Sequence, residues 1–500
     1  MNSKFSQLSS WAALKVGRLT LRIIKWVLVI CIAIILGFTL YAVTMLPKLQ
    51  PWHTDRLHNE FTALGDSDLD FDGYMALETK LFNEMAAEIK KWDHKNEAYV
   101  YSRFNSESYI QKLADGAPYN RSFRKSVPNP VGQALLIHGL TDSPYSMKAV
   151  AESLLSQGFN ITVLRLPGHG TFPSMMVEMS VKDWNAAVRI AAKDVAKRTP
   201  ANQPFYIVGH STGGTLALQY ILDALDDKSL RQPDRVITFS PAVEITEVAD
   251  VAAFIDALSI VPIPVLEKVR WQDVLPEYDP YKFNSFPVNA TRQVNRASKL
   301  LRRSLARAKE KGIIDKLPPI ITYQSVVDST IGTNGATGIL YPDLKGAKHH
   351  LVLFDVNRKK AFGNMQRPES GALIERLETS PRNYTLEIVS NINPDSPQIN
   401  ITRYAPDNSK TVIETELVWP HDLVSVGHVA LPFPGNDSVY GFIPGSGHNG
   451  VPSLGSHLLR GENGAISISL GAFTRLRSNP FWPIVDQQLR EVVAEDLAVK

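Results

Sequence analysis

The segment Phe205-Tyr-Ile-Val-Gly-His-Ser-Thr-Gly-Gly214 sets a serine between two glycines, Gly209 and Gly213, where an apolar run gives way to an amphipathic one. A serine hydroxyl is a poor nucleophile at neutral pH. It becomes effective when a histidine takes its proton and a carboxylate orients that histidine. Small neighbours suit a sharp, strained strand-to-helix turn that lifts the hydroxyl clear of a sheet. Ser211 therefore implies nucleophilic attack on an acyl carbon. The competing reading is a glycine-rich loop that cradles phosphate, but the stretch lacks the lysine that such a loop carries.

In this setting the acid follows the serine along the chain, and the histidine follows the acid. The run Ile320 to Val327 ends in Asp328, which puts a carboxylate at the C-terminal end of a strand, where open α/β sheets bind ligands. Glu244 and Asp355 are weaker substitutes. Of the twelve histidines, six follow Asp328. His349 and His350 fall at the start of an apolar run, the wrong edge of a sheet. His421, His428, His448 and His457 all lie in irregular Gly- or Pro-rich surroundings, and spacing does not separate them. An oxyanion needs two N–H donors, one following the nucleophile and one from the loop after an early strand. Thr212 and Leu140, the latter in Ile137-His-Gly-Leu-Thr-Asp142, are the candidates. His138 shapes that turn.

These residues need a sheet to hold them. Short apolar runs at Ala134 to Ile137, Ile161 to Leu166, Phe205 to Val208, Val236 to Phe239, Ile320 to Val327 and Leu351 to Val356 read as buried parallel strands. Helical patterns at Ser146 to Ser156, Val181 to Lys197 and Thr212 to Leu225 alternate with them, predicting an α/β fold of repeated βαβ units. Residues 47–131 read as an approach segment with a helix over Glu78 to Trp92. The core runs over 132–243, and residues 244–317 break the alternation and read as a cap. The core resumes over 318–500, with a β-rich insertion at about 358–420.

A basic stretch, Thr291 to Lys311, reads as a solvated cap face or as a contact for anionic lipid headgroups. The formal net charge of +3 over 500 residues offers no polyanion-binding field, so nucleic acid is not an expected partner. Cys31 is the only cysteine, which excludes a disulfide framework and thiolate metal sites elsewhere. No His-Glu-x-x-His pattern or other zinc-type spacing occurs, and no cofactor or metal is expected.

The N-terminus carries Lys4, Lys15, Arg18, Arg22 and Lys25, followed by an uncharged apolar run from Trp26 to Leu46. At about 1.5 Å per residue this is long enough to span a bilayer core of about 30 Å. The expectation is an uncleaved, single-pass transmembrane anchor at 26–46, with a cytoplasmic basic tail at 1–25. The catalytic bulk would then face outward.

His138-Gly-Leu, Leu166-Pro-Gly-His-Gly-Thr171, Gly209-His-Ser-Thr-Gly-Gly214 and Asp328 together resemble the α/β-hydrolase superfamily. The nearest flavour is the monoacylglycerol lipase and carboxylesterase group, often described as serine aminopeptidase-like. The resemblance covers roughly residues 132–243 and 318–360 and implies an inserted helical cap, helices on both faces of a mostly parallel sheet, and a structural role for His169. Ser425-Val-Gly-His-Val resembles the stretch that carries the base in these esterases, which selects His428, with His448 second. About one hundred residues then separate acid from base, where the family commonly has about thirty.

The implied function is hydrolysis of a lipid-like or short acyl ester through an acyl-enzyme on Ser211. Alternatives are an aminopeptidase, with Glu244 or Asp142 holding the substrate amine, and a non-catalytic scaffold.

Overall fold

The computed structural model describes residues 20–30, 32–33, 36–37, 47–245 apart from 115 and 117, 267–448, 453–456 and 475–499. Among these residues ten strands form one sheet. They are β1 (Phe123–Lys125), β2 (Gly132–Ile137), β3 (Phe159–Leu164), β4 (Phe205–His210), β5 (Arg235–Phe239), β6 (Ile320–Ser325), β7 (His350–Phe354), β8 (Thr385–Asn391), β9 (Gln398–Tyr404) and β10 (Lys410–Val418). The spatial order is β1-β3-β2-β4-β5-β6-β7-β8-β9-β10. Pairing is parallel from β3 through β8, whereas β1 and the β9–β10 hairpin pair antiparallel at the two edges.

Strands β2, β4, β5 and β6 are buried on both faces, as continuous apolar runs require when helices cover both sides. One core lies under helices α3 (Val181–Arg198), α4 (Thr212–Asp226) and α5 (Val288–Glu310). Another lies under α2 (Lys148–Ser156) and the C-terminal α7 (Trp482–Val499). The basic segment is α5. It turns Ala290, Val294, Leu301, Leu305 and Ala308 into the first core and leaves Arg296, Lys299 and Arg303 exposed. It is thus a covering helix of the sheet with a solvated basic face. Of the expected cap, residues 246–266 lie outside the described residues.

The approach segment is welded to the sheet. Its helix α1 (Phe71–Ile89) starts where the Asp70 side chain accepts from the Gly73 amide, an N-cap worth about 1 kcal/mol. Buried Arg165, just after β3, donates to Glu60 from both terminal nitrogens, at 2.8 and 3.0 Å, and from Nε to Glu78. Removing Arg165 leaves the buried Glu78 carboxylate without its cation, at a cost of about 3–5 kcal/mol.

The expected β-rich insertion is the continuation of the same sheet. After β7 the chain forms α6 (Pro368–Thr379), adds β8 in parallel, then folds the β9–β10 hairpin onto the edge.

The expected membrane anchor is corrected. Among the described residues no helix is long and apolar enough to cross a membrane. Residues 20–30, 32–33 and 36–37 are helical. Residues 31, 34–35 and 38–46 of the expected span lie outside the described residues, as does most of the basic tail. The single-pass topology and the outward placement of the catalytic bulk therefore lose their basis.

Candidate active site

Ser211 sits between the end of β4 and the first turn of α4, with φ +53° and ψ −117°. A non-glycine residue at positive φ is strained, and the surroundings enforce it. The Ser211 amide donates to the Phe239 carbonyl at 2.8 Å, and the Ser211 carbonyl accepts from the Thr215 amide at 3.1 Å. The flanking glycines are sterically required. A Cβ on Gly209 would lie 2.4 Å from the Gly213 carbonyl, and one on Gly213 would lie 2.2 Å from the Ile137 carbonyl oxygen. Close approach of β2, β4 and α4 is what leaves the serine at the C-terminal edge of the sheet.

Asp328 follows β6 at the same edge. Its Oδ1 accepts from the Thr330 and Ile331 amides at 2.9 and 2.8 Å, and its Oδ2 accepts from Gln324 Nε2 at 3.0 Å. His428 Nδ1 stands 2.8 Å from the same Oδ2. Burial pushes the Asp328 carboxyl up, but the His428 ring and the two loop amides outweigh it and hold the group below its ordinary range. An ionised carboxylate only accepts, so Nδ1 carries the proton and Nε2 is left with a lone pair.

The loop bearing His428 reaches the serine turn itself. The His428 carbonyl oxygen is 3.4 Å from Nε2 of His210, the residue before Ser211, and the two rings are 5.3 Å apart. Of the remaining candidates, His421 is exposed and His448 half-buried in a loop, and His457 lies outside the described residues. Asp355 is held by Arg358 at 2.6 and 2.8 Å and by Ser390 at 2.8 Å. Glu244 accepts from Asn334 at 2.8 Å.

Thr212 opens α4, so its amide has no carbonyl four residues earlier within the helix to bond. Leu140 lies in the loop after β2, which turns sharply at Thr141, φ +62°. A Cβ on Gly139 would stand 3.1 Å from Ser211 Cβ, so this loop passes directly beside the serine turn. His138 accepts from the Leu166 amide at Nε2 and donates from Nδ1 to the Gly139 carbonyl. His169 donates to the Pro167 carbonyl at 3.0 Å. Burial lowers the two rings to about 3 and about 4 respectively, so both are neutral struts.

Residues 128–303 match the family described as serine aminopeptidase, S33. The matched span contains Gly139, Leu140 and Ser211 and ends before Asp328 and His428. The core has the α/β-hydrolase fold.

The chain is 38% identical over 89 residues to a thermostable monoacylglycerol lipase of Bacillus sp. (strain H-257), which is 18% of this chain and 34% of that one. It is 30% identical over 95 residues to a putative 2-succinyl-6-hydroxy-2,4-cyclohexadiene-1-carboxylate synthase of Haemophilus influenzae, 19% of this chain and 36% of that one. The chain thus spans about a third of the length of these two relatives. Among solved structures, a monoacylglycerol lipase of Paleococcus ferrophilus is 17% identical, with 51% of this chain and 98% of that one covered at a TM-score of 0.35.

Gln324, which steadies Asp328, belongs to no motif in the sequence. A polar residue inside the apolar run Ile320 to Val327 was its signal. Asp142, expected as a possible amine-binding group, is instead engaged by Lys282 Nζ at 3.1 Å and faces His210 Nδ1 at 3.3 Å.

Proposed function

We propose that this hydrolase cleaves carboxylic esters through an acyl-enzyme on Ser211. His428 takes the serine proton at Nε2 as Ser211 Oγ attacks the ester carbonyl, and Asp328 fixes the ring in the tautomer that leaves Nε2 free. The Leu140 and Thr212 amides receive the developing oxyanion. His428 then gives the proton to the leaving alcohol, and a water activated by the same ring releases the acid. The observation that carries this reading is the buried 2.8 Å pair of Asp328 and His428, delivered beside a serine held at positive φ.

The monoacylglycerol lipase of Bacillus supports a lipid-like acyl substrate for this chain. The aminopeptidase reading needs a free carboxylate for the substrate amine. Asp142 is already neutralised by Lys282, and Glu244 is bonded to Asn334, so esters are favoured. A silent scaffold would have no use for an oriented imidazole.

Hydrolysis of p-nitrophenyl esters and monoacylglycerols of graded chain length, beside aminoacyl p-nitroanilides, tests the proposal. Ester turnover that vanishes in Ser211→Ala is expected. Turnover of the anilides alone would overturn it.

A further inference from the structure

The loop that offers the Leu140 amide is held by a charged pair that the reaction itself does not use. Asp142 is buried, with 4% of its surface exposed. Its Oδ1 is 3.1 Å from Lys282 Nζ, and its Oδ2 is 3.3 Å from Nδ1 of His210. The carboxylate curls back over its own loop: a Cβ on Gly139 would lie 2.9 Å from Asp142 Oδ2, 3.1 Å from His210 Nδ1 and 3.1 Å from Ser211 Cβ. Asp142 Oδ2 and Ser211 Cβ thus flank the same point and lie no more than about 6 Å apart. The neighbour of Lys282, Phe283, donates its amide to the Thr141 carbonyl at 2.9 Å. His210 in turn faces the His428 carbonyl.

We propose that Asp142 and Lys282 are positioning residues of the ester hydrolysis, locking the Leu140 loop against the Ser211 turn through His210. Lys282 has a second task that follows from charge alone. An ionised carboxylate this close to the place where an oxyanion forms opposes the transition state unless it is neutralised. Burial acts to raise the Asp142 carboxyl, but Lys282 and His210 hold it well below the carboxylate range, so it is ionised at neutral pH. Lys282 supplies the cancelling charge from the segment packed over the loop. Removing Lys282 alone is then worse than removing both charges, because the single change leaves a naked carboxylate beside the reacting centre.

The inference rests on the ester-hydrolase reading, and the test keeps the two separable. In the full-length protein, Lys282→Met, Asp142→Asn, the double variant and Lys282→Arg are compared for kcat and KM on a p-nitrophenyl ester. Thermal unfolding and hydrogen exchange over residues 138–143 are followed in parallel. Lys282→Met is expected to lower kcat about 10- to 100-fold with KM within about threefold, less than the loss of an oxyanion donor itself. The double variant should regain at least about threefold in kcat, Lys282→Arg should stay near wild type, and exchange at the loop should quicken in Lys282→Met.

Wild-type kcat in Lys282→Met, a double variant no better than the single, or losses that only follow the melting temperature would overturn the proposal. If wild type turns over no ester, the functional reading fails, and loop exchange still decides the positioning: quickened exchange upholds it and unchanged exchange overturns it.

Discussion

The turn that carries Ser211 and the loop that carries His428 arrive at the same place by opposite means. The serine is positioned by its immediate neighbours: Gly209, Gly213, the end of β4 and the start of α4 fix it within a few residues of chain. His428 lies 100 residues beyond the carboxylate it pairs with, and the chain builds α6, β8 and the β9–β10 hairpin before returning. A locally enforced residue is rigid because its backbone has nowhere else to go. A residue delivered from far away is only as well placed as the packing of everything in between.

That contrast can be broken in order of expected effect. Ser211→Ala removes the nucleophile and should lower kcat/KM for an ester by about 10⁶-fold, measured by initial rates, while unfolding shows the fold unchanged. Retained turnover would mean that the chemistry is elsewhere. Asp328→Asn keeps the shape but releases the tautomer of His428, and should cost about 10⁴-fold in kcat, read in the same assay.

Trp419→Ala probes the long arm without touching the site. Trp419 is buried edge-on against Phe481, ring centroids 4.7 Å apart, in the core that also holds Val426, Ala430 and Leu431 around His428. Its loss should cost about 3–5 kcal/mol by denaturant titration, and should weaken activity by loosening the base loop. A comparable activity loss from an equally destabilising change under α3, far from that loop, would erase the distinction.

The smallest effect is in acid. The folded pKa of Asp328 is lowered, so its pairing contributes stability that is fully present above the unfolded value of about 3.9 and is lost as pH falls through the lowered folded value. Between about pH 6 and pH 3 the melting temperature of wild type should fall about 1–2 °C further than that of Asp328→Asn. An equal fall would mean that the pair does not anchor the loop.

The same contrast explains what could be read from sequence. The serine turn, the parallel strands on either side of it and Asp328 at a strand end are local patterns: a run of apolar residues, a pair of small residues, a carboxylate at the right edge. Each is imposed on a few neighbouring residues by packing on both faces of the sheet. The base could not be isolated that way, because four histidines sat in similar Gly- and Pro-rich stretches and only resemblance favoured His428. The β-rich stretch at about 358–420 reads as a separate insertion because alternation reports a half-exposed strand, not which sheet edge it joins.

Asp142 and Lys282 meet across a sequence gap that no periodicity spans. At the N-terminus, composition overreached: an apolar run of suitable length predicted a span, and no described helix there is long and apolar enough to be one.

The most direct test of the account is the rate of labelling by a fluorophosphonate, which reports an activated serine without a choice of substrate. Wild type should label at Ser211, His428→Ala should lose labelling as Ser211→Ala does, and His448→Ala should keep it. Labelling that survives in His428→Ala and collapses in His448→Ala would contradict the account, because the base would then come from a loop that the buried Asp328 pair does not hold.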